Sequence, residues 1–424
     1  MEDATEQQDA PVQEGPIEAV FAILGDPHFT EEHGSHLKIK KTGELASAVP
    51  TTNPWAGLNE LIASQGLKAD AVLCPGDIAF QNSAITLSAG WKHLVDLGTR
   101  MGCEHVICAT GNHDVTSRSQ AETLKKAVIR NLKAGYGPFE QLKCLHPPYP
   151  SVTRGDAGHA QGRDQRVRYF GAGLVLVTAA NYQVLIVNSC SEHGHDEFEH
   201  ERGSFPPSAV EELRAALTQC DPKKISVAIM HHPPESHTQD GAGAHDFVDN
   251  GQELLKQLAD QGDWLVVHGH KHEARLGQAS GSGLQPIVFG AASLAIHVEA
   301  VRGTVRNQFY LLKVRLEPRG LTGRFQTWDW ATGRGWEPAR PDGDGIYDGA
   351  AFGARDAGRV VTDIAALTPL PMDWNEVIRQ VPDADLLPPE ARNQVRQRLH
   401  ARHGLHIHAN SKDGQWTKLE KAAP

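Results

Sequence analysis

Five apolar runs of strand length each stop at residues able to bind a metal or move a proton. EAVFAILG runs into Asp26-Pro27-His28, ADAVLCPG into Asp77, and HVICATG into Asn112-His113-Asp114. Further on, KISVAIM runs into His231-His232, and DWLVV into His268-Gly269-His270-Lys271-His272. Segments of helical length lie between them. NPWAGLNELIASQG has Asn53 as its N-cap, Pro54 in its first turn and Gly66 after its last, the residue types that start and stop helices. LSAGWKHLVDLGTRMG, SQAETLKKAVIRNLKAG, PPSAVEELRAALTQ and DNGQELLKQLADQG occupy corresponding places. Short strands alternating with helices of this length predict a layered α/β domain. In an open α/β sheet the carboxyl ends of the strands converge on one crevice, where ligands gather. The pattern therefore delivers Asp, Asn and His side chains from five distant segments to one place.

Each cluster alone is ordinary. Asp-Pro-His suits a turn, Gly-Asp suits a loop, and His-His-Pro-Pro suits a strand end where proline stops pairing. Loop histidines are usually solvated, and His33, His36, His193, His195 and His200 are read that way. What chance does not supply is the placement of all five clusters at the ends of successive strands.

After a polar, Arg- and Gly-rich excursion at about 136 to 170, GLVLVTAANYQVLIVNS reads as a hairpin. QPIVFGAAS, NQFYLLKVRLE and LTGRFQTWDW add strands in hairpin style. We divide the chain into a disordered leader at 1–16, a main domain at 17–336, a linker or loop at 337–371 and a helix-rich extension at 372–424. The chain has 424 residues and a net charge of -11, which argues against a general polyanion binder, since that affinity comes from basic surface. Its final 34 residues run the other way, with seven Lys or Arg against two Asp or Glu. Six cysteines without a CxxC pair read as reduced thiols of a cytoplasmic protein. No apolar run approaches a membrane span.

The ordered set GDPH, GD, GNHD, a strand ending in HHPP, and GHKH resembles the calcineurin-like metallophosphoesterase superfamily, from about residue 18 to 330. The resemblance implies a four-layer α/β/β/α sandwich with a two-metal site at the loops of its sheets. Carried over by position, it implies that Asp26, His28 and His272 hold one metal and that Asn112, His231 and His270 hold the other, with Asp77 bridging both. His268 then ends its strand outside the ligand set, and His232 is structural. A donor set of carboxylate, imidazole and amide without thiolate suits two divalent ions, Mn²⁺, Fe or Zn²⁺. Such a pair clamps the attacking and leaving oxygens of an in-line displacement and lowers the pKa of a bridging water. His113 is placed to protonate the leaving group, with Asp114 orienting its ring.

These implications point to a phosphodiesterase acting on a small molecule or a nucleotide. A nuclease, a phosphomonoesterase or protein phosphatase, and a non-catalytic scaffold are the other readings. The acidic balance counts against nucleic acid as partner, while the basic end with His400, His403, His406 and His408 keeps it open. The excursion offers Arg154, Arg163, Arg166 and Arg168 as phosphate contacts, and residues 30 to 52 read as a lid.

Overall fold

The polar strand ends come together because two β-sheets lie face to face and deliver them to one rim. The computed structural model describes residues 16–80, 82–115, 137–194, 199–236, 246–297, 306–341, 345–354, 356–410 and 414–422. The expected leader and the expected helix SQAETLKKAVIRNLKAG lie almost wholly outside those residues. The first sheet is built from β1 (Ile17–Ile23), β2 (Ala71–Cys74), β3 (His105–Cys108), β4 (Ser151–Thr153), β13 (Asn307–Glu317), β14 (Gly320–Ala331), β15 (Gly335–Pro338) and β16 (Ala351–Phe352). Its order is β15-β14-β13-β1-β2-β3-β4, with β16 on β14. The second contains β5 (Leu174–Thr178), β6 (Tyr182–Val187), β8 (Ile225–Ile229), β10 (Trp264–His268), β11 (Arg275–Gln278) and β12 (Ile287–Gly290). Its order is β11-β12-β10-β8-β6-β5. A two-stranded ribbon, β7 (Gly203–Ser204) with β9 (Val248–Asp249), sits beside it.

Side-chain alternation separates the layers. In β6, Val184 and Ile186 face the core shared with the first sheet, while Leu185 and Val187 face the helices outside. Likewise Val227 and Ile229 of β8 point inward, and Ala228 points out to the layer holding Leu213 and Leu254. A strand buried on both faces needs apolar residues at every position, which is why these runs read as continuous rather than alternating. Helices Pro54–Gln65 and Ala84–Met101 cover the first sheet, and Pro207–Leu217 and Gly251–Gln261 cover the second. The result is the expected α/β/β/α sandwich. Asn53 Oδ1 accepts the Trp55 and Ala56 N–H groups at 3.0 Å, and Gly66 ends that helix at φ 61.

Some stretches hold more structure than their composition suggests. The Arg- and Gly-rich excursion contains a helix, Ala160–Ala172, and its arginines make local contacts. Arg166 donates to the carbonyls of Lys143, Leu145 and Tyr149, and Arg168 pairs with Asp164. The segment read as linker or loop, 337–371, contributes β16 and a helix, Ala357–Ala365, capped by Asp356. The extension is less purely helical than expected. Beyond helices Trp374–Gln380 and Pro389–His403, it has a three-stranded sheet of β17 (Met372–Asp373), β18 (Leu405–Ala409) and β19 (Trp416–Lys421). Among the described residues no helix is long and apolar enough to cross a membrane.

Candidate metal centre

Residues leaving β1, β2, β3, β8 and β10 meet at the rim. Asp26, His28, Asp77, Asn112 and His231 are buried, and His270 and His272 lie half-buried at the opening. His28 Nε2 is 3.0 Å from His272 Nε2 and 3.6 Å from Asp77 Oδ2. His231 Nε2 lies 2.9 Å from Asn112 Oδ1, 3.5 Å from Asp77 Oδ2 and 3.3 Å from His270 Nδ1. Asp26 Oδ1 is 3.5 Å from His231 Nδ1, and Asp26 Oδ2 accepts the His270 N–H at 3.0 Å. His231, His232 and His270 form one group of potential ligands, and the two others at the rim are His28 with Asp77 and His272, and Asp26 with Asp77 and His231. Asp77 belongs to the last two.

The local backbone is bent to achieve this. Among the described residues, the non-glycine positions with positive φ are His159, Asn250 and five members of the centre: Asp26 (37°), His28 (53°), Asp77 (52°), His270 (73°) and His272 (58°). Side chains with a Cβ avoid that region, and its occupancy clusters where function holds the chain in a strained shape. Glycines provide the clearance. A Cβ on Gly111 would fall 2.1 Å from Asp77 Oδ1, and one on Gly269 would fall 2.5 Å from Asp26 Oδ1.

Electrostatics show what the centre lacks by itself. Burial pushes the Asp26 carboxyl well above the usual carboxylate range, and the charge of Asp77 pushes it further. Asp114 is raised by the same two causes. Asp26 Oδ1 is buried and makes no hydrogen bond. His231 Nδ1–H donates to the Pro75 carbonyl at 3.0 Å, so Nε2 turns a lone pair toward Asn112 Oδ1 and His270 Nδ1. Imidazoles that ligate metals are oriented by such a carbonyl. Converging lone pairs and buried carboxylates repel one another unless cations lie between them. The residues present therefore fit divalent metals.

Around the centre, His113 N–H donates to Asp77 Oδ1 at 2.8 Å. The His113 Nδ1 proton goes to the Phe80 carbonyl. Asp114, expected to orient that ring, has its carboxylate engaged by backbone, accepting Ala79 N–H and Gly111 N–H at 3.0 Å each. His232 Nδ1 lies 2.9 Å from Ser189 Oγ while its ring packs 4.4 Å from that of His270 within a group of potential ligands, and His268 closes β10 with Nδ1 donating to the Gly269 carbonyl at 3.1 Å. His193, read as solvated, is buried; its Nε2–H donates to the Arg202 carbonyl at 2.8 Å. Burial lowers its pKa to about 4. It groups with Cys190 and His232 beside the centre. A loop histidine between Glu192 and Gly194 gives no sign of burial until the chain folds. Phe80, whose ring lies 5.1 Å from that of His113 and 5.6 Å from that of His28, was also missed; nothing but its place after Gly-Asp marks it.

Sandwich and centre together define a class, a four-layer α/β/β/α sandwich with a loop-borne cluster of residues that could hold divalent cations. The family model of calcineurin-like phosphoesterases matches residues 19–274, more than half of the chain. The chain belongs to the calcineurin-like phosphoesterase family, whose members are metal-dependent phosphoester hydrolases. Among solved structures it is similar to a single mutant of Vps29 from Entamoeba histolytica, at 11% identity and TM-score 0.29, covering 74% of this chain and 94% of that one. Chaetomium thermophilum Vps29 is similar at 9% identity and TM-score 0.27, covering 74% and 100%. A comparison with curated proteins returns no match.

Proposed function

We propose that the protein is a two-metal phosphodiesterase acting on a small-molecule or nucleotide substrate. The observation that carries this reading is the pair of ligand groups sharing Asp77. Asp26, His28 and His272 would hold one cation, and Asn112, His231 and His270 the other, with Asp26 between the two groups at 4.0 Å from His272 Nε2 and 3.5 Å from His231 Nδ1. When bound, the ions supply positive charge for the phosphoryl oxygens and a water activated at neutral pH. The remaining work belongs to the chain. Asp77 fixes the spacing of the two halves while its Oδ1 anchors the turn bearing His113. The Phe80 carbonyl holds the His113 Nδ1 proton, leaving Nε2 to carry the proton delivered to the leaving alkoxide. Asp114 holds the turn itself by taking two backbone N–H groups.

Support for a small substrate comes from space. A cavity of about 580 Å³, within the range of small-ligand sites, is lined by Thr30, Glu31, Glu32, Lys38 and Phe80, whose ring lies 5.1 Å from that of His113. Residues 30 to 46 form one wall of it, in keeping with a lid. The test compares bis(p-nitrophenyl) phosphate with p-nitrophenyl phosphate in Mn²⁺, for wild type and Asp77→Ala. Faster cleavage of the diester, lost in the variant, supports the proposal. Preference for the monoester points to a phosphatase. Turnover of neither, with two metals bound, points to a macromolecular substrate or a scaffold.

A further inference from the structure

From Asp356 onward the chain folds around a core of its own. Val360, Ile364, Trp374, Val377, Leu399 and Leu419 are buried together, and among the described residues only Ala354, just after β16, packs against that cluster from before Asp356. The elements run helix Ala357–Ala365, β17, helix Trp374–Gln380, a 3-10 turn at Pro382–Asp385, helix Pro389–His403, then the β18–β19 hairpin. The sheet order is β17-β19-β18, antiparallel throughout. This succession, with the first strand paired to the last, is that of a helix-turn-helix completed by a β-hairpin wing. In helix-turn-helix modules the helix after the turn enters the major groove of DNA.

A fold alone does not assign a function; the side chains of that helix do more. Pro389–His403 buries only Val395 and Leu399. Asn393, Arg396, Gln397 and His400 are exposed along one stripe at helical spacing, with Arg398 and Arg402 beside it. Arginine pairs with guanine edges, and asparagine and glutamine pair with adenine edges. Elsewhere in this unit arginines are matched, Arg359 with Asp363 and Arg379 with Glu376. Arg396, Arg398 and Arg402 make no ion pair among the described residues.

Three acids of the unit face the sandwich. Asp383 pairs with Arg319, Asp385 with Arg324 and Glu390 with Arg275, all on the sandwich. The unit thus meets the sandwich through these three carboxylates and leaves Arg396, Arg398 and Arg402 exposed. Protein interfaces are anchored by buried aromatic and aliphatic groups, yet the large exposed hydrophobics among the described residues, Val49, Ile85, Val167 and Leu284, all lie outside this unit. The major groove of an RNA duplex is too narrow to admit such a helix.

We infer that residues 356–422 are a duplex DNA-binding module, with helix Pro389–His403 as its reading element. The inference does not rest on which phosphoester the sandwich hydrolyses. It gives the chain a nucleic-acid partner despite its overall charge of -11, through the exposed arginines of one helix.

The test is fluorescence anisotropy of the full chain with a labelled 30-base-pair duplex in EDTA, which keeps hydrolysis out of the readout. Wild type is compared with the triple variant Arg396→Glu, Arg398→Glu, Arg402→Glu across a salt series. Wild type binds with a Kd of about 1–100 μM or tighter at low salt, and the variant loses at least about tenfold. Three lost phosphate contacts reduce the salt slope of log K by about three. Hydrolysis of bis(p-nitrophenyl) phosphate is unchanged in the variant, since all three positions are exposed and remote in sequence from the metal centre. Absence of wild-type binding, equal binding by the variant, or preference for single strands or RNA duplex overturns the inference.

Discussion

Asp77→Asn separates a shared carboxylate from two independent sites. The substitution keeps size and the acceptor for His113 N–H, but removes the charge that both ligand groups use. His272→Ala, by contrast, touches only the group with His28. A ligand that binds only the folded state at 100 times its Kd adds about 2.7 kcal/mol, so two independent cations add about 5.4 kcal/mol. With an unfolding entropy of roughly 2.1 cal/mol/K per residue over about 330 residues, 1 kcal/mol corresponds to about 1.5 °C. Wild type therefore gains about 8 °C in Tm on adding saturating Mn²⁺, His272→Ala about 4 °C, and Asp77→Asn close to none. In EDTA the order reverses, and Asp77→Asn melts no lower than wild type because it relieves repulsion with Asp26 and Asp114. Calorimetry with metal content measured on the same samples reads both effects. An Asp77→Asn protein that keeps one full increment would show that each ion has its own carboxylate, and the shared-ligand geometry would fall.

Three further outcomes follow from single contacts. His113→Asn lowers kcat by about 10² to 10⁴ on an alkyl phosphodiester, but far less on bis(p-nitrophenyl) phosphate, whose leaving group needs no proton; equal losses on both would deny His113 the role of acid. Gly111→Ala forces Asp77 to move, since the new Cβ would lie 2.1 Å from Oδ1 and 2.2 Å from the backbone nitrogen. Metal retained after dialysis, measured by mass spectrometry, drops below one ion per chain, and retention of two would mean the turn absorbs the methyl group. His105, buried with Nδ1 2.7 Å from Tyr182 Oη, has its pKa lowered by desolvation to about 4. The unfolded chain then binds a proton near pH 6.5 that the folded chain refuses. Stability is full above that pH and falls as pH drops toward 4, by about 3 kcal/mol from this residue. Metal-free His105→Gln shows a flatter pH dependence of its urea midpoint; a parallel curve would place the loss elsewhere.

Much of the sandwich can be read from residue order because its strands are buried on both faces and its helices carry clear caps. Asn53 and Gly66 sit where their chemistry places them, and the hairpin of β5 and β6 pairs Leu174 with Val187 as the apolar runs suggest. The candidate ligands were legible for a topological reason, since strands that share a direction must end on one rim. The helix Ala160–Ala172 was not, because Gly, Arg and Gln give it no apolar stripe; it is held by contacts such as Ser151 Oγ donating to Gln165. The C-terminal sheet was hidden for the opposite reason. In β18, Leu405 and Ile407 alternate with His406 and His408, a period-two signal only five residues long beside a charged helix of fifteen. Pairing of β17 with β19 joins positions far apart in the chain, which local pattern cannot express.

What residue types do not reveal is the backbone strain at the centre. Asp26, His28, Asp77, His270 and His272 adopt a left-handed conformation that L side chains occupy at a cost of about 1–2 kcal/mol each. The surrounding structure has to hold all five against that cost while also crowding buried carboxylates that repel. Gly25 N-terminal to Asp26, packed against Ala292, and Gly111 against Asp77 show how tightly the supporting chain is drawn in. Ser293 Oγ adds a further tie, donating to the Asp26 carbonyl at 2.7 Å. Cations that neutralise the carboxylates would therefore stabilise a conformation the sandwich alone holds under tension. Folding and metal uptake are coupled in such an arrangement, and the same strained turns that make the metal-free chain less stable are what bring Asp77 within reach of both halves of the centre.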